Sequence, residues 1–433
     1  MSNVIFNVFF DRVLAGTLSI THAMVMSFKY DEAYLSTGGT PISLVMPVSS
    51  EPYGDEIVFP FVENLFPEGE VRRLIMESNK IPEANFEKFL SLMGNDVAGA
   101  LSFQAEGCKP EFELPGNPVI YEIKELSQIL LDIQDRPFFV GVESKAGNRM
   151  SLAGAQHKLP VLMIDGKICE SKGSPTTHLI KPAPKKKAGE NIRFPSLVYN
   201  EFVCMRAAKA AQINTANVTL LDVYDQDGNE SDALLIERYD RIVGKSVKRL
   251  QQEDLCQVTS VPSPKKYEVD GGPGFIELFE VIDTYSSIKV LDNIEAFKRM
   301  IFNIIIGNND AHAKNFSFLI DEHGKVGLTP AYDLVCTQLY EDLSDTFAMT
   351  ISGKGSVEAL QIGDIKALFD NLNKKKYKTL RPTLIKYADN SLKSIQQEVD
   401  EFERGDFYNI DIKNIKRIGE IASTNHRLLT EKL

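Results

Sequence analysis

One stretch constrains this chain more than any other. Asn303-Ile-Ile-Ile-Gly-Asn-Asn-Asp310 runs into Ala-His-Ala-Lys-Asn315 and then into Phe-Ser-Phe-Leu-Ile320. Ile294, Phe297, Ile301, Ile304 and Ile305 recur at helical spacing and predict a helix over 293–306 with one buried face. Gly307-Asn308-Asn309 ends it, because both residue types tolerate the left-handed backbone found past a helix C-terminus. The apolar run 316–320 has strand length, 321–325 is a polar turn, and 326–329 can return antiparallel. Pro330 has no N–H for a ladder, so the chain leaves the sheet there and brings Asp333 beside the strand end.

Helix, Asp-x-x-x-x-Asn, hairpin and a further Asp form a layout suited to phosphoryl transfer. Such a reaction needs one group to orient and deprotonate the acceptor hydroxyl, and Asp310 is placed for it. Magnesium prefers oxygen ligands, which Asn315 and Asp333 supply. Lys314 could neutralise charge on the moving phosphoryl group. Taken singly, Asp310 reads as a turn cap and Asp333 as the start of a loop; their combination points to catalysis.

The rest of the chain has room for that machinery. Its 433 residues allow two or three domains, and a 43% hydrophobic fraction supports a large core. Five cysteines without a C-x-x-C pair suggest reduced thiols and a cytoplasmic protein. The N-terminus lacks a basic leader, and no apolar run reaches membrane-spanning length. A net charge of −12 argues against nucleic acid binding over the whole surface. The basic runs Lys185-Lys186-Lys187 and Lys374-Lys375-Lys376-Tyr377-Lys378 read first as solvated faces.

Along the chain, residues 1–110 alternate short strands with turns and two helices, 70–78 and 84–93, and 97–103 reads as a strand. Residues 111–240 mix strands with one good helix, and 241–433 are mainly helical. This is an α+β, bilobal arrangement with a β-rich lobe before a helical one. Lys181 ends an apolar strand and Glu201 lies on the following helix, the pairing by which kinases align nucleotide phosphates. The small residues of Ser151-Leu-Ala-Gly-Ala-Gln-His-Lys158 would let backbone N–H groups approach phosphate oxygens, although the segment matches neither common phosphate-loop pattern. The strand 232–239, with Leu234-Leu235-Ile236-Glu237-Arg238-Tyr239, runs into an interlobe connection that could meet adenine at Glu237 and Tyr239. Gln252 and Asp254 read equally as site-lining or structural.

These pieces together resemble the HipA family of bacterial serine/threonine kinase toxins. The resemblance rests on Ser151–Lys158, Thr177-His-Leu-Ile-Lys181, Asn200-Glu201 and Ile236-Glu-Arg-Tyr-Asp240. It extends through Gln252-Glu-Asp-Leu-Cys-Gln257, Tyr267-Glu-Val-Asp-Gly-Gly-Pro-Gly274, Asp310-Ala-His-Ala-Lys-Asn315 and Leu328-Thr-Pro-Ala-Tyr-Asp333. Asn64-Leu-Phe-Pro67 and Gly94-Asn-Asp-Val-Ala-Gly99 fit the family's N-terminal subdomain. The resemblance implies a protein-kinase-like fold using ATP and magnesium. Asp310 would be catalytic, Asn315 and Asp333 would hold metal, and Lys181 and Lys314 would serve the phosphates. Glu237 and Tyr239 would meet adenine, and Ala153, Gly154, Ala155, Gln156, His157 and Lys158 would form the phosphate loop. Ser151 would be an autophosphorylation site that switches the enzyme off. The implied partners are a HipB-like helix-turn-helix antitoxin, operator DNA through it, and glutamyl-tRNA synthetase as substrate, with growth arrest and persistence as the outcome. His157 stands where the family can carry an acidic residue, and Tyr239 where it can carry Phe. Two other readings compete: a catalytically silent, antitoxin-bound corepressor, and a small-molecule kinase on a related fold.

Overall fold

Val4–Phe10 alternates Phe6 and Val8 inward with Ile5 and Asn7 outward, the period of a strand with one buried face. It pairs antiparallel with Val13–Ile20 on one side and Leu101–Ala105 on the other, and Met26–Tyr30 completes a four-stranded sheet. The helices Asp55–Glu63, Gly69–Ser78 and Phe86–Met93 complete the N-terminal core through Phe61, Ile75, Phe86 and Phe89, with Phe66 from the connection between the first two. The computed structural model describes residues 3–82, 85–110, 113–135, 157–171, 173–186, 191–372, 377–405 and 412–433.

The expected strand over 97–103 is displaced to Leu101–Ala105. The N–H groups of Gly99 and Ala100 are bound instead by the side chains of Asp240 at 2.8 Å and Gln251 at 3.0 Å. A backbone committed to distant side chains cannot also serve a ladder.

A five-stranded antiparallel sheet follows, in the spatial order Lys167–Cys169, Leu159–Ile164, His178–Lys181, Glu230–Glu237, Val218–Tyr224. The first hairpin closes through Asp165-Gly166 alone, too short a turn to fold over a nucleotide's phosphates. Ile123–Asp135 packs against this sheet through Leu126, Leu130 and Ile133. The helix Leu197–Ala210 joins it to the largest core, which runs on into the C-terminal half.

There, the helices Phe275–Tyr285 and Lys289–Ile306 pack on a three-stranded sheet of Gln251–Asp254, Ser317–Ile320 and Val326–Leu328, and the helices Tyr377–Arg404 and Ile412–Lys432 pack in turn on Lys289–Ile306. The expected hairpin is present and antiparallel. The long helix begins at Lys289 rather than near 293, because its first turn carries exposed Val290 and Leu291 that the buried-face pattern does not signal. A sheet-rich lobe precedes a helical lobe, so the α+β, two-lobed architecture is as expected.

Candidate active site

The turn that carries Asp310 is built by how one helix ends. Gly307 adopts φ 68°, and the N–H groups of Gly307 and Asn308 close on the carbonyls of Ile304 and Asn303 at 3.1 and 2.8 Å. Asn308 donates to the Asn303 side chain at 2.8 Å and accepts the Asp310 N–H at 3.2 Å. Asn309 donates its N–H to Thr337 Oγ1 at 2.8 Å and accepts that of Ala348 at 2.8 Å. With its neighbours pinned, Asp310 stands exposed at the tip. Tyr267 Oη donates to its carboxylate at 2.8 Å. One face of the carboxyl is open, but the protein packed around the turn strips part of its hydration and raises it above the ordinary carboxylate range, while the Tyr267 hydrogen bond and Lys266 oppose that rise. A raised carboxyl is a better proton acceptor for an alcohol.

On the sheet side, Lys181 reaches both oxygens of Glu201, at 2.7 and 3.0 Å, and also bonds Asp333. Lys181 and Glu201 are buried. Burial alone would favour neutral lysine, yet the two carboxylates outweigh it and hold the ammonium firmly charged. Asp333 also feels burial, but Lys181 and Lys158 hold its carboxyl down at about 2. Asp333 has φ 54°, a left-handed conformation that costs a residue with a Cβ and that tends to mark functional positions. Lys158 lies in the same field, and burial with Lys181 beside it lowers its amine to about 8. Lys158, Lys181, Glu201 and Asp333 therefore form one cluster.

Asn315 ends a 3-10 turn, and its Oδ1 is buried without a hydrogen-bond partner. A buried acceptor without a protein partner is open to a ligand, and an amide oxygen together with a carboxylate is a donor set that suits magnesium. Among the described residues no group of three or more His, Cys, Asp or Glu side chains could hold a metal by itself.

Lys314, expected at the phosphates, has its amine engaged with protein oxygens. Its amine is buried and gives its three N–H directions to the Asn64 carbonyl at 3.0 Å, Asn64 Oδ1 at 2.7 Å and Asp254 Oδ2 at 3.1 Å. It ties the N-terminal region to the catalytic turn. Asp254 also caps the helix Leu255–Val258, and Gln252 accepts the Tyr239 hydroxyl, so both serve the framework. The Tyr239 ring stacks on Tyr332 at 5.9 Å, and the Glu237 carboxylate accepts from Asn217 at 2.8 Å. These engaged side chains leave backbone groups as the means of meeting a base. An open cavity of about 370 Å³ beside this connection is lined by Asn217, Glu237, Tyr239 and Pro330 among others, but by none of Lys181, Asp310 or Asp333.

His157 and Lys158 lie among the described residues; Ser151, Ala153, Gly154, Ala155 and Gln156 lie outside them, as do Lys187 and Lys374-Lys375-Lys376. Sequence reasoning missed the contributions of Asn64 and Tyr267. Both sit in motifs it had singled out, but nothing in their spacing names a partner so far along the chain.

The chain is similar to known proteins along most of its length. Residues 6–104 match the HipA N-terminal domain, and residues 150–404 match the HipA-like C-terminal domain. Y4mE of Sinorhizobium fredii, named as a candidate kinase, is 35% identical over 354 residues, 80% of each chain. The serine/threonine-protein kinase toxin HipA of Shewanella oneidensis is 29% identical over 358 residues, covering 77% of this chain and 75% of that protein. A solved Shewanella oneidensis complex of HipA, HipB and operator DNA contains a chain that superposes with a TM-score of 0.79. That likeness, at 24% identity over 98% of this chain and 99% of the other, shows a shared fold.

Proposed function

This chain belongs to the HipA family, and from that premise we propose that it is an ATP- and magnesium-dependent serine/threonine protein kinase acting as the toxin of a toxin–antitoxin pair. The observation that carries the reading is the geometry of Lys181, bonded to both Glu201 and Asp333, together with Asp310 presented on a pinned turn five residues before Asn315. A strand lysine held by a helix glutamate is the arrangement that aligns nucleotide phosphates.

The residues divide the work. Lys181 keeps Glu201 and has its remaining N–H, now on Asp333, to offer to a phosphate oxygen. Asp333 and Asn315 would hold magnesium, which when bound neutralises charge on the phosphate oxygens. Asp310 orients the acceptor hydroxyl and takes its proton. The backbone of Glu237-Arg238-Tyr239 receives adenine, and the segment from Ala153 to Lys158 covers the phosphates.

The finer expectations belong to the same proposal. Glutamyl-tRNA synthetase is the substrate, and its phosphorylation stops growth and favours persistence. A HipB-like antitoxin binds the chain and joins it to operator DNA as corepressor. Phosphate on Ser151, roughly −1.5 to −2 charge at neutral pH, repels the nucleotide's own phosphates and turns the enzyme off.

Asp310→Asn tests the core of this reading. It should lower transfer from MgATP by about 10²- to 10⁴-fold while leaving nucleotide affinity unchanged, since Asp310 serves the acceptor side. Mass spectrometry of the same reactions should find phosphate on Ser151 of the wild type only. Wild-type transfer rates in Asp310→Asn would remove Asp310 from the mechanism. Equal growth arrest by both forms would favour the silent corepressor.

A further inference from the structure

The motif Tyr267-Glu-Val-Asp-Gly-Gly-Pro-Gly274 has no part so far in holding nucleotide or metal, yet it lies against the catalytic turn. We propose that residues 262–274 form a rigid arm that holds the Tyr267 hydroxyl on Asp310, making Tyr267 the positioning residue of the catalytic carboxylate. The inference rests on the kinase reading above.

The arm is fixed on both sides of Tyr267. At its start, Ser263 gives its N–H and hydroxyl to the Glu63 carboxylate at 2.9 and 2.8 Å, and Lys266 pairs with Glu68 at 3.1 Å. At its far side, the Glu268 carboxylate accepts the Thr350 hydroxyl at 2.7 Å and the Thr350 N–H. Its middle is folded too closely for any side chain at Gly272. The Gly272 N–H bonds the Tyr267 carbonyl at 3.0 Å, and a Cβ there would lie 1.9 Å from the Lys265 carbonyl oxygen.

The same arm grips the catalytic turn on either side of Asp310. The Ala313 N–H reaches the Lys266 carbonyl at 3.3 Å, and the Glu268 N–H reaches the Ala348 carbonyl at 3.0 Å. The Ala348 N–H in turn bonds the Asn309 carbonyl at 2.8 Å. The Tyr267 ring meets the His312 ring edge-on, with centroids 5.4 Å apart. Every tie leaves the tyrosine with one place for its hydroxyl, Asp310 Oδ1 at 2.8 Å.

The chemistry explains the need. The carboxylate torsion of an aspartate is broad, so an exposed Asp310 would otherwise sample many orientations. A phenol has one O–H to donate, and once it is spent on Oδ1 that oxygen is fixed. Oδ2 is then set to receive the proton of the acceptor hydroxyl. Presetting a reacting group in this way raises the rate of the chemical step without changing how nucleotide binds.

Tyr267→Phe keeps the ring against His312 and deletes only the hydroxyl. With MgATP and myelin basic protein as acceptor, kcat should fall about tenfold, the loss of one hydrogen bond to a charged group. The KM for MgATP, the affinity for MgAMP-PNP and the melting temperature should stay at wild-type values. Glu268→Gln, which loosens the arm at a distance, should give a smaller loss confined to kcat. An undiminished kcat in Tyr267→Phe would overturn the proposal, and so would a loss matched by weaker MgAMP-PNP binding or a lower melting temperature. Failure of the wild type to transfer phosphate to myelin basic protein or to itself would instead defeat the kinase reading beneath it.

Discussion

At the scale of single residues, three lysines near the site have three different jobs, and only burial and partners separate them. Lys181 is held by two carboxylates at the nucleotide side, Lys158 lies in the same field, and Lys314 is spent on protein oxygens. Position in the sequence favoured Lys314 as a phosphate ligand, since it precedes Asn315. Its environment makes it a strut. Burial raises the Asp254 carboxyl above its usual range even with Lys314 beside it, so Asp254 has little tolerance for losing that partner. Lys314→Met should lower the unfolding free energy by about 3–5 kcal/mol, because a buried carboxylate is left unpaired. Denaturant titration measures this. A fully stable Lys314→Met protein with weakened MgATP binding would restore the phosphate role.

At the scale of elements, the helix Lys289–Ile306 and the hairpin after it were legible because their apolar periods are 3.6 and 2. The helix start was not, since exposed Val290 and Leu291 add apolar residues outside the buried stripe. The displaced strand at Leu101–Ala105 was not legible either, because what draws residues 97–100 out of the ladder is Asp240 and Gln251, far along the chain. The helix end is the element that aims Asp310 in the proposed mechanism. Gly307→Ala puts a Cβ in the left-handed region, at a cost of about 1–2 kcal/mol. That Cβ would also lie 2.5 Å from Gln338 Oε1. Thermal melts should show the loss, and the transfer rate should fall with it because Asp310 is aimed from this turn. A melting curve identical to wild type would mean that the turn does not depend on the glycine.

At the scale of the molecule, a buried ionic cluster joins the N-terminal sheet to the connection between the lobes. Asp240 accepts from Arg238 at 2.8 and 3.0 Å and from Arg241 at 2.8 Å, and Arg241 also reaches Asp96 at 2.8 Å. Asp96 takes the N–H and hydroxyl of Thr176, both at 2.9 Å. Burial opposes the charge on Asp240, but Arg238 and Arg241 outweigh it and pull its carboxyl well below the ordinary range. A carboxyl lowered on folding stabilises the native state above its unfolded value of about 3.9, and that contribution is lost as pH falls through the folded value. Wild-type stability should therefore drop as pH falls below about 4. Asp240→Asn should cost about 3–5 kcal/mol at pH 7 and make the acid dependence shallower. Urea titrations at several pH values check both, and an unchanged acid slope would show that Asp240 does not carry it.

The sequence by itself determined the local backbone and the chemical inventory. A period of 3.6 or 2, a glycine after an apolar helix and a proline after a strand act within a few residues, so they can be read in order along the chain. That was enough to bring Asp310, Asn315 and Asp333 into one turn-and-hairpin unit and to pair Lys181 with Glu201. Tertiary structure alone decided what each side chain touches. Tyr267 meets Asp310 across 43 positions, Lys181 meets Asp333 across 152, and Lys314 meets Asn64 across 250. Such contacts arise when separate cores pack together, and residue spacing carries no record of which distant surfaces will meet.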